Sequence, residues 1–212
     1  MIKTLQQILT HKIVSIIRGA EPGAVLDIAK ALCEGCVRCL EITLNSANAL
    51  QVIENIAQQM EGQIAVGAGT VLTVAEAGDA IAAGAKFIIS PIMNIDIIHK
   101  TKELGAVSIP GAFTPTEIFN AHANGADIIK VFPGTSGPGF IKEVLAPLPH
   151  IPLMPTGGIN LQNIHEFKKA GAVAFGIGKS LVNTTQKVNE SYLQEIIVNA
   201  QKFKRAANEG VK

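Results

Sequence analysis

The strongest constraint on the fold is a short run rich in β-branched residues that recurs eight times, each followed by a segment with helical periodicity. This alternation predicts parallel strands joined by crossover helices, because parallel neighbours cannot be linked by a tight turn. The predicted strands span residues 12–18, 37–43, 64–69, 86–91, 106–110, 127–132, 152–155 and 173–177. The predicted helices span residues 22–34, 47–60, 74–83, 95–104, 115–124, 140–145, 161–170 and 192–207.

Two architectures fit such alternation: an open doubly wound sheet and a closed barrel. The open sheet would normally carry a Gly-x-Gly-x-x-Gly turn after the first strand, and Arg18-Gly19-Ala20 is not such a turn. Eight units in this chain average about 26 residues, close to the lower size limit of a TIM barrel. We therefore predict an α/β fold, a single (β/α)8 TIM barrel domain over residues 1–212 with an N-terminal helix.

Composition excludes several classes of partner. The formal charge is +1 and tryptophan is absent, which argues against a nucleic-acid surface. The first ten residues are too polar for a signal peptide, and the apolar runs fall short of the roughly 20 residues that span a bilayer. We predict a cytoplasmic protein with no nucleic-acid or membrane partner.

The sequence predicts no metal site and no cofactor. Cys33, Cys36 and Cys39 resemble a cluster-binding run, but the chain has no fourth cysteine, and their positions favour reduced, packed thiols. The histidines fall on predicted helices, turns or strand entries, away from the ends where a barrel carries its chemistry: His11, His99, His122, His150 and His165.

Lys130 is the most informative residue at the carboxyl end of a predicted strand, the end at which barrels carry their active sites. Its face of the strand is shared with Ile128 and Phe132, so burial should lower its pKa and leave a neutral, nucleophilic amine. The alternative is a lysine whose ammonium reaches out of the barrel mouth into water.

Glu41 shares a strand face with Cys39 and Thr43 and is predicted to point into the barrel. A carboxylate there needs a partner or a chemical task. The alternative is a structural ion pair with Arg18 or Lys130.

Two glycine-containing loops follow the seventh and eighth predicted strands, where barrels often bind phosphate through backbone N–H groups. Each glycine pair alone is consistent with a tight turn, but both at these positions favour a phosphate site. The predicted phosphate-binding residues are Thr156, Gly157, Gly158, Gly178, Lys179 and Ser180.

Seven short motifs occur in order along nearly the whole chain, and together they resemble the KDPG/KHG aldolase family, the bacterial 2-keto-3-deoxy-6-phosphogluconate and 4-hydroxy-2-oxoglutarate aldolases. The motifs are Ile-Ile-Arg-Gly (16–19), Leu-Glu-Ile-Thr-Leu (40–44), Val-Gly-Ala-Gly-Thr-Val (66–71), Ile-Ser-Pro (89–91), Pro-Gly-Ala-Phe-Thr-Pro-Thr-Glu (110–117), Lys-Val-Phe-Pro (130–133) and Pro-Thr-Gly-Gly-Ile (155–159).

The resemblance implies a homotrimeric class I aldolase that cleaves a phosphorylated 2-keto-3-deoxy sugar acid. Lys130 would form the Schiff base and Glu41 would be the general acid and base. Arg18 and Thr70 would contact the carboxylate end or polar chain of the substrate, and Pro91 and Phe132 complete the predicted substrate-binding set.

Two departures from the family pattern leave the substrate open. Asn45 stands where several members have arginine, and its Leu-Asn-Ser context resembles the 2-keto-3-deoxy-6-phosphogalactonate branch. Lys179 interrupts the usual glycine–serine sequence of the last loop. Activity on 4-hydroxy-2-oxoglutarate, a phosphosugar isomerase or epimerase, and a non-catalytic sugar-phosphate sensor remain as alternatives.

Overall fold

The computed structural model describes residues 1–208, in which helices and parallel strands alternate. The helices are α1 (Ile2–His11), α2 (Val25–Glu34), α3 (Ala49–Gln59), α4 (Val74–Ala82), α5 (Ile95–Glu103), α6 (Pro115–Ala123), α7 (Gly137–Leu145), α8 (Ile164–Lys169) and α9 (Glu190–Asn208). The strands are β1 (Ile13–Ile17), β2 (Cys39–Thr43), β3 (Ala65–Gly69), β4 (Phe87–Ile89), β5 (Val107–Ile109), β6 (Gly111–Ala112), β7 (Ile129–Val131), β8 (Leu153–Pro155) and β9 (Phe175–Ile177).

Each predicted strand contains an observed strand, and the predicted N-terminal helix is α1. The helix predicted over residues 140–145 begins earlier, at Gly137, because Pro138 lies in the first turn, where its missing N–H costs no hydrogen bond. Residues 209–212, which the predicted domain includes, lie outside the described part of the chain.

The strands form two parallel sheets. Six strands pair in the order β5-β4-β3-β2-β1-β9, and this sheet curls into a half-barrel, while β6, β7 and β8 form a second sheet. The short strand β6 was not predicted. It is separate from β5 because Pro110, which lies between them, has no backbone N–H to continue the ladder.

Alternation along the strands divides the apolar residues into an outer and an inner cluster. The outer cluster packs the strands against the surrounding helices. The inner cluster contains one or two residues from most strands, together with Ile8 of α1: Val14, Cys39, Ala65, Phe87, Ile89, Val107, Ile109, Ile128, Met154 and Ala174. Ile8 is fully buried in this cluster, so α1 covers the end of the sheet at which the strands begin.

Polar residues replace apolar ones on the inner face towards the carboxyl ends of the strands. Cys39 is followed on the same face by Glu41, Ile128 by Lys130, and Met154 by Thr156. All three polar residues are buried, and this change of chemistry positions the candidate site. None of the helices within residues 1–208 combines the length and apolar character needed to cross a bilayer.

Candidate active site

A cavity of about 530 Å³ opens at the carboxyl ends of the strands, within the size range of small-molecule sites. It brings together residues from both sheets and from the loops after β8 and β9. The residues that line it are Ile16, Arg18, Glu41, Lys130, Phe132, Thr156, Gly157, Gly158, Ile159, Asn160, Gly176, Gly178, Lys179, Ser180, Val182, Asn183, Thr184 and Thr185.

Lys130, in the middle of β7, points into this cavity and is 4% exposed. Burial lowers the pKa of its amine, and the positive charge of Arg18 acts in the same direction, while Glu41 partly opposes them. The Lys130 Nζ lies 4.9 Å from the centroid of the Phe132 ring. The lysine is therefore held inside the cavity, and burial favours its neutral, nucleophilic form.

Glu41 lies on β2 and is 1% exposed. Burial raises the pKa of its carboxyl, against the opposing effects of Lys130 and Arg18. Neither carboxyl oxygen has a hydrogen-bond partner among residues 1–208. A buried carboxyl that no neighbour satisfies is costly and is characteristic of groups that transfer protons.

Gly69 of β3 makes room for the Glu41 side chain. A Cβ atom built at Gly69 would overlap the Glu41 carboxyl, so only glycine fits beside it. The alternative role of Glu41, a structural ion pair with Arg18 or Lys130, does not occur among the ion pairs within residues 1–208. Glu41 and Lys130 nevertheless influence each other electrostatically across the cavity.

Arg18, at the end of β1, is exposed at the cavity mouth. Its Nη2 donates a hydrogen bond of 3.3 Å to Thr70 Oγ1, and its backbone carbonyl accepts one of 2.7 Å from Thr184 Oγ1. The N–H of the next residue, Gly19, donates to Ser46 Oγ at 2.9 Å. Three loops therefore fix the chain around this guanidinium.

The loops after β8 (residues 156–160, the β8 loop) and β9 (residues 178–185, the β9 loop) form one side of the cavity. Gly157 and Gly158 have φ values of 93° and 76°, a conformation that favours glycine. The Ser180 hydroxyl donates to the Ile159 carbonyl at 2.6 Å and so joins the two loops. The Lys179 side chain brings a positive charge to this side.

Thr70 and Pro91 are the predicted site residues that do not line the cavity. Thr70 adopts a left-handed conformation with φ 57° and reaches the site only through its hydrogen bond to Arg18. Pro91 packs its backbone closely against Gly111 of β6, as shown by the overlap that a Cβ at Gly111 would meet.

No sequence pattern identified Asn183, Thr184 and Thr185, which also line the cavity. They lie between β9 and α9, in a segment with neither strand alternation nor helical periodicity, so only the tertiary structure brings them to the site. No group of three or more His, Cys, Asp or Glu side chains within residues 1–208 could hold a metal ion.

A family model described as "KDPG and KHG aldolase" matches residues 5–198, which includes every lining residue of the cavity. The chain belongs to this aldolase family. The resemblance read from the seven motifs is thereby confirmed, and so is the assignment to the carbon–carbon lyases.

Family members with different named activities are similar to the chain. A probable 2-dehydro-3-deoxy-6-phosphogalactonate aldolase from Rhizobium meliloti is 33% identical over 175 residues, 82% of each chain. A 2-dehydro-3-deoxy-phosphogluconate aldolase from Treponema pallidum is 36% identical over 144 residues, 67% of this chain and 68% of the relative. A native KDPGal structure superimposes with a TM-score of 0.86 at 28% identity, covering 92% of this chain and 93% of the other.

Proposed function

We propose that this chain is a class I aldolase that cleaves a 2-keto-3-deoxy-6-phospho sugar acid into pyruvate and D-glyceraldehyde 3-phosphate. The observation that carries the proposal is a nearly buried lysine, with its pKa lowered by burial, facing the same cavity as a buried carboxyl without a partner. This combination supplies a neutral amine to attack a ketone and a group to move protons beside it.

In the proposed mechanism the neutral amine of Lys130 attacks the C2 ketone to form a carbinolamine. Glu41 donates a proton to the departing hydroxyl, and loss of water leaves an iminium. The Glu41 carboxylate then takes the C4 hydroxyl proton, directly or through one water molecule. The C3–C4 bond breaks, its electron pair passes to the iminium, and D-glyceraldehyde 3-phosphate leaves. Protonation of the enamine at C3 and hydrolysis of the iminium release pyruvate and restore Lys130.

The two ends of the substrate would be held by different residues of the cavity wall. The β8 and β9 loops would bind the phosphate, because glycine lets backbone N–H groups approach closely and Lys179 adds a positive charge. Arg18 would bind the carboxylate end, with Thr70 orienting its guanidinium. Phe132 beside the Lys130 amine would exclude water from the reacting carbon, and Pro91 would act only by supporting the adjacent strand.

We further propose that the chain is one domain, a closed barrel of eight strands in which β5 and β6 are one strand interrupted at Pro110. Hydrogen bonds between the sheets support this: Asp127 N–H donates to the Ser108 carbonyl at 2.9 Å, and Val173 N–H donates to the Leu153 carbonyl at 3.0 Å. A parallel bridge between Thr156 and Gly176 gives further support for closure at the junction of β8 and β9.

Sodium borohydride in the presence of pyruvate tests the proposed chemistry. Reduction of the iminium should fix a pyruvate-derived adduct on Lys130 and inactivate the protein, since a secondary amine cannot be hydrolysed. Peptide mass mapping should locate the adduct in the peptide that contains β7. Borohydride without pyruvate is the control, and an unmodified Lys130 after full treatment would rule out the Schiff base.

The preferred epimer depends on contacts beyond the reacting carbons. Asn45 is exposed and does not line the cavity, so it would act only on substrate that extends out of the mouth. The proposal covers both the gluconate and the galactonate epimer, and comparison of kcat/KM on the two acids assigns the preference.

We also propose that the protein is a homotrimer whose subunits meet through an apolar surface at the carboxyl ends of β3 to β6. Large apolar side chains in three successive loop and helix regions there are between 38% and 49% exposed: Leu72, Val74, Ile92, Ile95, Phe113 and Phe119. A set of this kind on one side of a protein is typical of an interface with another subunit.

Introducing a charge into this apolar surface should dissociate the oligomer. Phe119→Glu would place a carboxylate in a contact that excludes water. The molar mass, measured by light scattering after size-exclusion chromatography at micromolar protein, should therefore fall from three times 22.3 kDa towards 22.3 kDa. Leu9→Glu is the matched control, because Leu9 lies on α1 and is 36% exposed. A mass unchanged by Phe119→Glu would exclude this surface as the interface.

A further inference from the structure

The last helix, α9, holds the β9 loop from its outer side by four hydrogen bonds. The Tyr192 hydroxyl accepts from the Asn183 N–H at 2.7 Å and donates to the Asn183 carbonyl at 2.9 Å. The Asn199 side-chain amide donates to the carbonyls of Ser180 at 2.9 Å and Leu181 at 3.2 Å. All of these bonds end on the loop backbone, so they fix its path without involving its side chains.

Tyr192 and Asn199 can act together because they are two helical turns apart on α9 and therefore share one face of it. Ile196 lies between them on that face and is 1% exposed, which anchors the helix to the core. Tyr192 is itself 7% exposed, so its hydroxyl has been withdrawn from water to make these bonds. The Tyr192 contact is therefore a buried part of the fold, whereas the Asn199–Ser180 bond is exposed.

The inner side of the same loop lines the candidate active site. Gly178, Lys179, Ser180 and Asn183 face the cavity, and the Ser180 hydroxyl joins the loop to the β8 loop. The Gly178 carbonyl accepts from the N–H groups of Leu181 and Val182, which curls the backbone into a tight turn at the cavity wall. Backbone N–H groups bind an anion well only if they are held in a fixed orientation.

We infer that Tyr192 and Asn199 are positioning residues that set the phosphate affinity of this aldolase by fixing the β9 loop from behind. The inference rests on the proposed function, since it assigns the β9 loop to the phosphate of the substrate. Neither residue touches the substrate. Both lie across the loop from the cavity, in an outer groove that Gln194 also lines.

A positioning role and a general structural role for Tyr192 and Asn199 predict different kinetics. The two can be separated because the steps on pyruvate involve no phosphate group. Exchange of the pyruvate methyl protons for deuterium requires the Lys130 iminium and a proton-transfer group but no phosphate contact. Loss of positioning alone should raise KM for the phosphorylated acid and leave this exchange unchanged. A structural defect would reduce both.

The test compares Tyr192→Phe and Asn199→Ser, each assayed separately, with Gln194→Ala as the matched control on the same helix and groove. Tyr192→Phe keeps the buried ring, and Asn199→Ser leaves a small polar side chain, so either variant can carry the test should the other fail to fold. We expect KM to rise about tenfold for whichever of the two phosphorylated acids the unmodified protein cleaves with the higher kcat/KM. A tenfold rise corresponds to a loss of about 1.4 kcal/mol of binding free energy. The rate of proton exchange on pyruvate should stay within about twofold of the rate in the unmodified protein.

Unchanged KM in both variants, or a parallel fall in turnover and pyruvate exchange, would overturn the inference. Borohydride trapping of pyruvate on the same samples separates this failure from a failure of the proposed function. If Lys130 is trapped while KM is unchanged, only the positioning role is wrong. If Lys130 is not trapped in the unmodified protein, the aldolase mechanism itself fails.

Discussion

Replacing Lys130 with methionine is expected to lower kcat/KM for the phosphorylated keto acid by ~10³-fold or more, because the proposed reaction has no route that bypasses the iminium. Methionine matches the length and apolar character of the lysine stem, so it fits a position that is 4% exposed. Burial is the main cause of the lowered Lys130 pKa, which means that the folded state disfavours the ammonium. The variant should therefore fold at least as well as the unmodified protein.

The stability of Lys130→Met also has a predicted pH dependence. A lysine whose pKa is lowered by folding binds its proton more weakly in the folded state, so it costs stability at pH values below its unfolded pKa. Removing this lysine should raise the melting temperature relative to the unmodified protein, and the gain should grow as the pH falls from 10.5 towards the lowered pKa. Thermal unfolding monitored by circular dichroism at several pH values measures this effect.

Lys142→Met is the matched control, since Lys142 lies exposed on α7. It should retain full activity in a coupled assay that detects pyruvate with lactate dehydrogenase and NADH. Substantial pyruvate formation by Lys130→Met would contradict the Schiff-base mechanism. Interconversion of phosphosugars without release of pyruvate, retained in Lys130→Arg, would favour the isomerase or epimerase alternative, which needs no covalent lysine. Binding of the acid without turnover by the unmodified protein would favour the sensor.

Strand parity was sufficient to predict which ionisable residues lie at the centre of the candidate site. Alternation predicted that Lys130 shares a strand face with Ile128 and that Glu41 shares one with Cys39. In the structure both ionisable groups lie on this inner side of the sheet. The prediction works because alternation is a local property of an extended chain. It requires only that each strand be recognised, and each predicted strand contains an observed one.

Features that depend on non-local contacts could not be predicted in this way. The bonds from Tyr192 and Asn199 to the β9 loop depend on how α9 packs, and no sequence pattern encodes that. The left-handed backbone of Thr70 and its hydrogen bond to Arg18 could not be predicted from strand alternation either. The hydrogen bonds that join the two sheets, such as the one from Asp127 N–H to the Ser108 carbonyl, likewise follow from tertiary packing and not from a local sequence pattern.

Glutamine at position 41 is expected to change the rate and the pH dependence of Schiff-base formation in distinguishable ways. Without a carboxyl to move protons, the maximum rate of iminium formation should fall by ~10²–10⁴-fold, the usual contribution of general acid–base catalysis. Glutamine has nearly the shape of the glutamate, so it fits the space beside Gly69 in which a Cβ would overlap the carboxyl.

The sign of the pH effect follows from the electrostatics of the pair. The Glu41 carboxylate raises the pKa of Lys130, partly opposing burial and Arg18, so its removal lowers that pKa further. A lower pKa makes the neutral amine available at lower pH, so the midpoint of the trapping rate should move to lower pH while its plateau falls. Loss of the carboxyl thus produces more of the nucleophile and a slower reaction.

Initial rates of cyanoborohydride trapping with pyruvate, measured from acidic to alkaline pH, give both quantities from one set of curves. Glu61→Gln is the matched control, since Glu61 is exposed and distant in sequence from every residue that lines the cavity. If the trapping rate of Glu41→Gln reaches the same plateau as that of the unmodified protein but at a displaced midpoint, Glu41 affects Lys130 only electrostatically and does not carry its protons. A lower plateau without displacement would mean that the two groups do not interact across the cavity.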